Sequence, residues 1–174
     1  NNLRLYSQSG ASTGYASNCL KGNCLSVVNR YIWGEPSTTS LWPYDSFAVS
    51  AWVKFDSRPS DVDILAQGDI SGGAVKENPV WSVAFRDGRL RFNVGYQEKS
   101  YQGANIISNQ WHHIVAMFYG GKQYLYFDGS KTGGSSSAVL RSTAGTPRFI
   151  GGFFDGAIDE VGFWKNISFA SDSE

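Results

Sequence analysis

Cysteine, proline and charge are all scarce in this chain, and so are histidine and long apolar runs. Two histidines stand side by side at 112 and 113, and cysteine occurs only at 19 and 24. Two cysteines cannot build a multi-cysteine scaffold; a zinc knuckle would need two more ligands, and the only histidines lie far off in sequence, inside a hairpin. Lysine plus arginine number 15, as do aspartate plus glutamate, for a net charge of zero. A chain without basic excess is a poor partner for nucleic acid or an anionic membrane surface. No apolar stretch approaches the ~20 residues needed to span a bilayer, so no membrane insertion is expected. The first residues lack the charged start and apolar core of a signal peptide. The chain is therefore expected to be a module of a larger multidomain or processed protein. No helical periodicity and no internal repeat emerge either.

What is abundant is glycine, serine, threonine and aromatic residues, with 20 glycines and 15% aromatics in 174 residues. That length suits one domain covering 1–174, burying about 70% of its unfolded surface. Short alternating segments separated by turns every 8–12 residues indicate an all-β fold, a sandwich of two antiparallel sheets.

The stretch Trp111 to Gly129 is central. Trp111, His113, Val115, Met117 and Tyr119 alternate with His112, Ile114, Ala116 and Phe118; Gln123, Leu125 and Phe127 alternate with Lys122, Tyr124 and Tyr126. Each strand thus offers two faces. Gly120-Gly121 suits the intervening turn, and Asp128-Gly129 closes it. Phe47, Val49, Ala51, Val53 and Phe55 form the core set of an earlier strand, opposite Ala48, Ser50, Trp52 and Lys54. Asp87-Gly88 joins a second hairpin, whose core set is Trp81, Val83, Phe85, Leu90, Phe92, Val94 and Tyr96. Further strands are expected at Ala138–Leu140 and near Ile150 and Ile158. Arg30–Ser46, Ile70–Pro79, Gln97–Gly103 and Ser130–Ser137 read as loops.

Trp-His-His-Ile-Val-Ala at 111–116, followed by Leu-Tyr-Phe-Asp-Gly at 125–129, resembles the signature hairpin of laminin-G-like and pentraxin-like concanavalin-type sandwiches. Phe47–Lys54 is similar to the family's early central strand. Phe149–Gly152 and Gly156–Val161 resemble its closing strands. The resemblance implies a concanavalin A-like jelly roll. It does not decide function, since that fold hosts lectins, adhesion modules and hydrolases.

Catalytic patterns are missing. There is no Gly-x-Ser-x-Gly, and adjacent strand histidines point to opposite faces. Glycoside hydrolysis needs paired carboxyl groups across a cleft. The Glu-x-Asp-x-x-Glu of the laminarinase-type relatives is absent, and Asp159 and Glu160 diverge. The expectation is therefore a non-catalytic, lectin-like recognition module, extracellular or at the cell surface. Its partner would be a glycan. A protein-binding adhesion module is the alternative, and a glycoside hydrolase-like domain the third reading.

The candidate ligand contacts are Trp33, Trp42, Tyr44 and Tyr101 as loop platforms, with Arg91, Asn93 and Tyr124 (beside Lys122 and Tyr126) on a polar sheet face. Exposed rings stack on the apolar faces of sugars, and planar polar groups bond their hydroxyls. The family resemblance implies a structural calcium ion, with Asp159 as its carboxylate and Asp69, Asp155 and Asn1 as further donors; otherwise Asp159 caps a turn. Cys19 and Cys24 flank a Gly22-Asn23 bend and can meet in a disulfide. Pairing would favour an oxidising compartment; two free thiols are the other possibility.

Overall fold

A computed structural model describes residues 4–7, 15–16, 19–28, 32–35, 45–68, 70–71, 74–75, 80–95, 97–100, 106–132, 136–140, 148–151 and 154–168. The elements in chain order are β1 (Arg4–Ser7), β2 (Tyr15–Ala16), β3 (Cys24–Val28), β4 (Ile32–Glu35), β5 (Phe47–Phe55) and β6 (Val62–Gln67). Next come β7 (Ile70–Ser71), β8 (Ala74–Val75), β9 (Trp81–Arg86), β10 (Arg89–Val94), β11 (Gln97–Ser100) and β12 (Trp111–Tyr119). The last are β13 (Lys122–Phe127), β14 (Ser130–Lys131), β15 (Ser136–Ser137), β16 (Arg148–Ile150) and β17 (Asp155–Lys165). No helix occurs among the described residues.

Two antiparallel sheets face each other. The seven-stranded sheet runs β1-β4-β16-β6-β9-β10-β11. The eight-stranded sheet runs β14-β13-β12-β5-β17-β3-β2, with β15 also paired to β13, and β7-β8 form a separate hairpin. The expected two-sheet sandwich is what the chain forms.

Alternation decides what enters the core. Phe47, Val49, Ala51, Val53 and Phe55 are buried, as are His112, Ile114, Ala116 and Phe118, and Gln123, Leu125 and Phe127. Across the interior stand Val83, Phe85, Leu90, Phe92 and Val94. Phe47 is the hub: its ring lies 5.4 Å from Trp81, 5.9 Å from Phe163 and 6.1 Å from both Phe92 and Phe118. It thus joins both sheets, and truncating such a ring costs about 3–5 kcal/mol.

The three predicted turns have left-handed backbones, at Asp87 (φ 49°) and Gly88 (72°), Gly120 (57°) and Gly121 (71°), and Asp128 (49°) and Gly129 (77°). Aspartate and glycine tolerate that region, which matches the twist of paired strands. Four expected loops contain strands. Within Arg30–Ser46, Ile32–Glu35 pairs with both β1 and β16. The hairpin β7-β8 lies in Ile70–Pro79, β11 in Gln97–Gly103, and β14 and β15 in Ser130–Ser137. Conversely, Ala138–Leu140 is not a strand. Polar, glycine-rich surroundings hid these elements because backbone pairing, not side-chain pattern, creates such short strands.

Candidate functional site

The outer face of the eight-stranded sheet collects the aromatic residues that alternation kept out of the core. Register places Trp164, Ala48, Met117 and Tyr124 in one row across β17, β5, β12 and β13. Gly162, Ser50, Val115 and Tyr126 form the next, and Asp159, Trp52 and His113 the one after. With strands about 4.8 Å apart, such a row spans ~14 Å.

Trp52 and Trp164 bracket an open groove of about 610 Å³, lined also by Ser50, Glu160, Val161 and Gly162. The backbones of Trp52 and Trp164 stand four β5 positions apart, roughly 13 Å along the strand. Trp164 is 52% exposed and Val161 41%. Trp52 is held upright by His113, stacked on it at 4.8 Å and 25°. Beyond the groove, Lys54 Nζ lies 5.4 Å over the Trp111 ring, and Lys131 Nζ lies 5.3 Å over that of Tyr124.

The groove is shaped by a bulge. β17 slips register against β5 between Asp159 and Gly162, so three steps on β17 face two on β5. Glu160, at the bulge, has φ 47°, a conformation unusual for a residue of its kind. Asp159 fixes it. Its Oδ1 accepts the Glu160 N–H at 2.8 Å, and its Oδ2 accepts the N–H groups of Leu20 (3.0 Å) and Lys21 (3.2 Å). Leu20 and Lys21 belong to the loop closed by the Cys19–Cys24 disulfide, whose Cα atoms are 5.3 Å apart. The expected disulfide is present, and the loop it closes is tied to the rim of the groove through Asp159.

Asp159 was expected to ligate calcium. Three N–H groups converge on its carboxylate. Asp155 lies at the exposed start of β17, while Asp69 and Asn1 fall outside the described residues. Among the described residues, no group of three or more His, Cys, Asp or Glu could hold a metal. The role the structure gives Asp159 is that of a loop anchor.

The other candidate residues separate. Tyr124 is on the outer face just described. Arg91 and Asn93, expected to share a polar face with Tyr124, are on β10 in the other sheet and cannot join it. There Arg91 Nη2 donates to Asp87 Oδ2 at 2.6 Å, and Asn93 Nδ2 donates to Ser82 Oγ at 3.2 Å. Trp33 is in β4, not in a loop. Register aligns it with Phe149, and through β16, β6 and β9 with Ala66, Ser82 and Asn93. Trp42, Tyr44 and Tyr101 lie outside the described residues.

The two histidines do face opposite ways. His112 is buried and stacked on Phe127 at 4.9 Å. Its Nδ1–H donates to Asp128 Oδ2 at 2.8 Å, and its Nε2 accepts the Ile107 N–H at 3.0 Å in that tautomer. Asp128 Oδ1 accepts the His113 N–H at 2.8 Å. The Trp-His-His and Asp-Gly ends of the hairpin are thus fastened to each other. On the seven-stranded sheet, Arg86 Nη2 donates to Asp63 Oδ1 at 2.6 Å. Burial nonetheless pushes the Asp63 carboxyl above its ordinary value, outweighing the guanidinium.

Trp52, Trp164 and Glu160 were not among the ligand contacts expected from the sequence. The usable signal was Trp52 in the non-core set of an otherwise clean alternation; the bulge that aims Glu160 had no signal.

Residues 34–170 match the family model described as the concanavalin A-like lectin/glucanases superfamily, in its laminin-G form. The chain belongs to that superfamily. Comparison with curated protein sequences finds no match. Among solved structures, it is similar to domain 4 of AbnA, a GH43 extracellular arabinanase from Geobacillus stearothermophilus, in complex with arabinotriose. That likeness has a TM-score of 0.68 at 15% identity, covering 94% of this chain and 82% of that one. It is also similar to Trypanosoma rangeli sialidase, with a TM-score of 0.58 at 15% identity over 82% of this chain. There it spans only 25% of the sialidase chain. Identities this low speak for the fold alone.

Proposed function

We propose that this domain is a non-catalytic carbohydrate-recognition module that binds through the groove between Trp52 and Trp164. The observation that carries the reading is Trp164, a half-exposed indole beside a second indole on a flat sheet face. Burying about 100 Å² of apolar surface on one ring is worth roughly 2.5 kcal/mol. Two rings and a few hydrogen bonds, less the cost of association, leave about −4 kcal/mol, near millimolar. Such affinity is useful when the module is tethered or repeated. Both structural neighbours named above are parts of larger proteins, which agrees with a tethered role.

A non-catalytic role is favoured by the state of the candidate acids and bases. His112 is locked between Asp128 and Ile107, and His113 is stacked on Trp52. Hydrolysis of glycosides needs two carboxyl groups free to act. Among the described residues of the groove, Glu160 is the one carboxylate free to act, since Asp159 is held by three N–H groups. The disulfide supports an extracellular or cell-surface setting.

A protein partner is the second reading, favoured by exposed apolar Leu20 (45%) and Val161 (41%) near the groove. A glycan array probed with the wild type, Trp52→Ala and Trp164→Ala tests the first. Glycan binding lost in both variants supports it. An array that is silent for the wild type, with capture of a surface protein that needs Trp164, supports the second.

A further inference from the structure

Glu160 is the one residue of the groove whose backbone is in an unfavourable region, at φ 47°. Asparagine or glycine would adopt that conformation more readily. The bulge keeps glutamate there, exposed, among the residues that line the groove with the two indoles. No cation among the described residues forms an ion pair with it. Lys54 is placed over Trp111 and Lys131 over Tyr124. Lys21 holds Asp159 through its backbone N–H and makes no salt bridge to Glu160. The buried Asp159 next to it adds a second negative group. The groove therefore combines apolar platforms with one uncompensated carboxylate.

Such a carboxylate accepts hydrogen bonds from neighbouring hydroxyls of a sugar, and charge-assisted bonds are the stronger kind. It repels a ligand that brings its own carboxylate. Building on the carbohydrate reading above, we propose that Glu160 sets the specificity of the groove: it selects uncharged oligosaccharides and rejects carboxylated ones, such as sialylated or uronic-acid glycans. Two like charges at close range across a wet groove give a discrimination of roughly fivefold. It weakens as salt is added, because exposed charges are screened.

The test is titration calorimetry with matched neutral and carboxylated oligosaccharides, at low and high salt. Arabino-, xylo- and gluco-oligosaccharides are set against uronic-acid and sialylated counterparts. For the wild type, neutral ligands are expected to bind roughly fivefold more tightly, with the gap narrowing at high salt. Glu160→Gln should abolish the gap. Glu160→Gly, which relaxes the backbone while removing the charge, should abolish it too. The inference is overturned if carboxylated glycans bind as well as neutral ones, or if neither variant changes the ratio. If Trp164→Ala still abolishes binding in that case, the sugar groove stands and only the charge selection is wrong. If no oligosaccharide binds the wild type, the carbohydrate reading falls, and this inference with it.

Discussion

Gly162 lies beneath the indole of Trp164: a Cβ at position 162 would come within 2.7 Å of Trp164 Cζ3 and closer still to Cη2. The ring rests over its own strand because nothing projects from the residue two positions before it. Gly162→Ala should therefore lift the ring out of place. The displaced end is exposed and free to swing, so stability should change by less than about 1 kcal/mol. Affinity for oligosaccharide should fall severalfold all the same. Calorimetry beside a thermal melt checks this; unchanged affinity would mean the ring's present position is irrelevant.

Asp159, on β17, holds the loop between β2 and β3 across 139 residues of sequence, through its bond to Leu20. Asp159→Ala removes the acceptor of three N–H groups at once. Hydrogen bonds to a charged acceptor are worth about 1.5–3 kcal/mol each, but these donors can recover water at the exposed loop. A net loss of about 2–3 kcal/mol is expected in urea unfolding. The bulge should loosen as well, weakening the groove. A variant as stable as the wild type would contradict the anchoring role.

The paired histidines should behave differently. His112→Ala loses the bonds to Asp128 and Ile107 and the stack on Phe127, deep in the sandwich. It should cost about 2–4 kcal/mol. His113→Ala removes only the outer-face partner of Trp52, so it should cost under about 1 kcal/mol while reducing ligand affinity. Equal destabilisation by both would mean that the two-faced reading of β12 is wrong.

Asp63 gives a pH dependence of definite sign. Burial raises its carboxyl above 3.8 despite the adjacent Arg86. The folded state therefore holds this proton more tightly than the unfolded state. The stabilising contribution is fully present below about 3.8 and is lost as pH rises through the folded value. Asparagine cannot titrate. The stability of the wild type relative to Asp63→Asn should thus decline from about pH 3 to pH 7. A flat or rising difference would show that the ion pair with Arg86 prevails over burial.

Much of this architecture was legible in side-chain alternation. Phe47–Phe55 buries the set that period two assigns to the core, Trp111–Tyr119 buries one of its two alternating sets, and each Asp-Gly or Gly-Gly bend turns as its residue types require. Alternation says which residues share a face of one strand, not which sheet that strand joins. That is why Arg91 and Asn93 were grouped with Tyr124 although β10 and β13 belong to different sheets. Nor can it place a partner 139 residues away, so Asp159 carried no mark of its bonds to the disulfide loop. Trp33 looked like a loop residue among glycine, proline and serine, yet backbone pairing with β1 and β16 makes its segment a strand. Trp164 lay beyond a bulge, where the period is broken and facing can no longer be counted.

The most direct measurement compares oligosaccharide affinity of Trp164→Ala, on the outer face of the eight-stranded sheet, with that of Asn93→Ala, on the opposite sheet. Recognition at the indole groove predicts a loss of tenfold or more for the first, on the order of the ~2.5 kcal/mol of apolar contact removed, and an affinity within about twofold of wild type for the second. The reverse result, with Asn93→Ala abolishing binding and Trp164→Ala leaving it intact, would move the site to the other side of the sandwich.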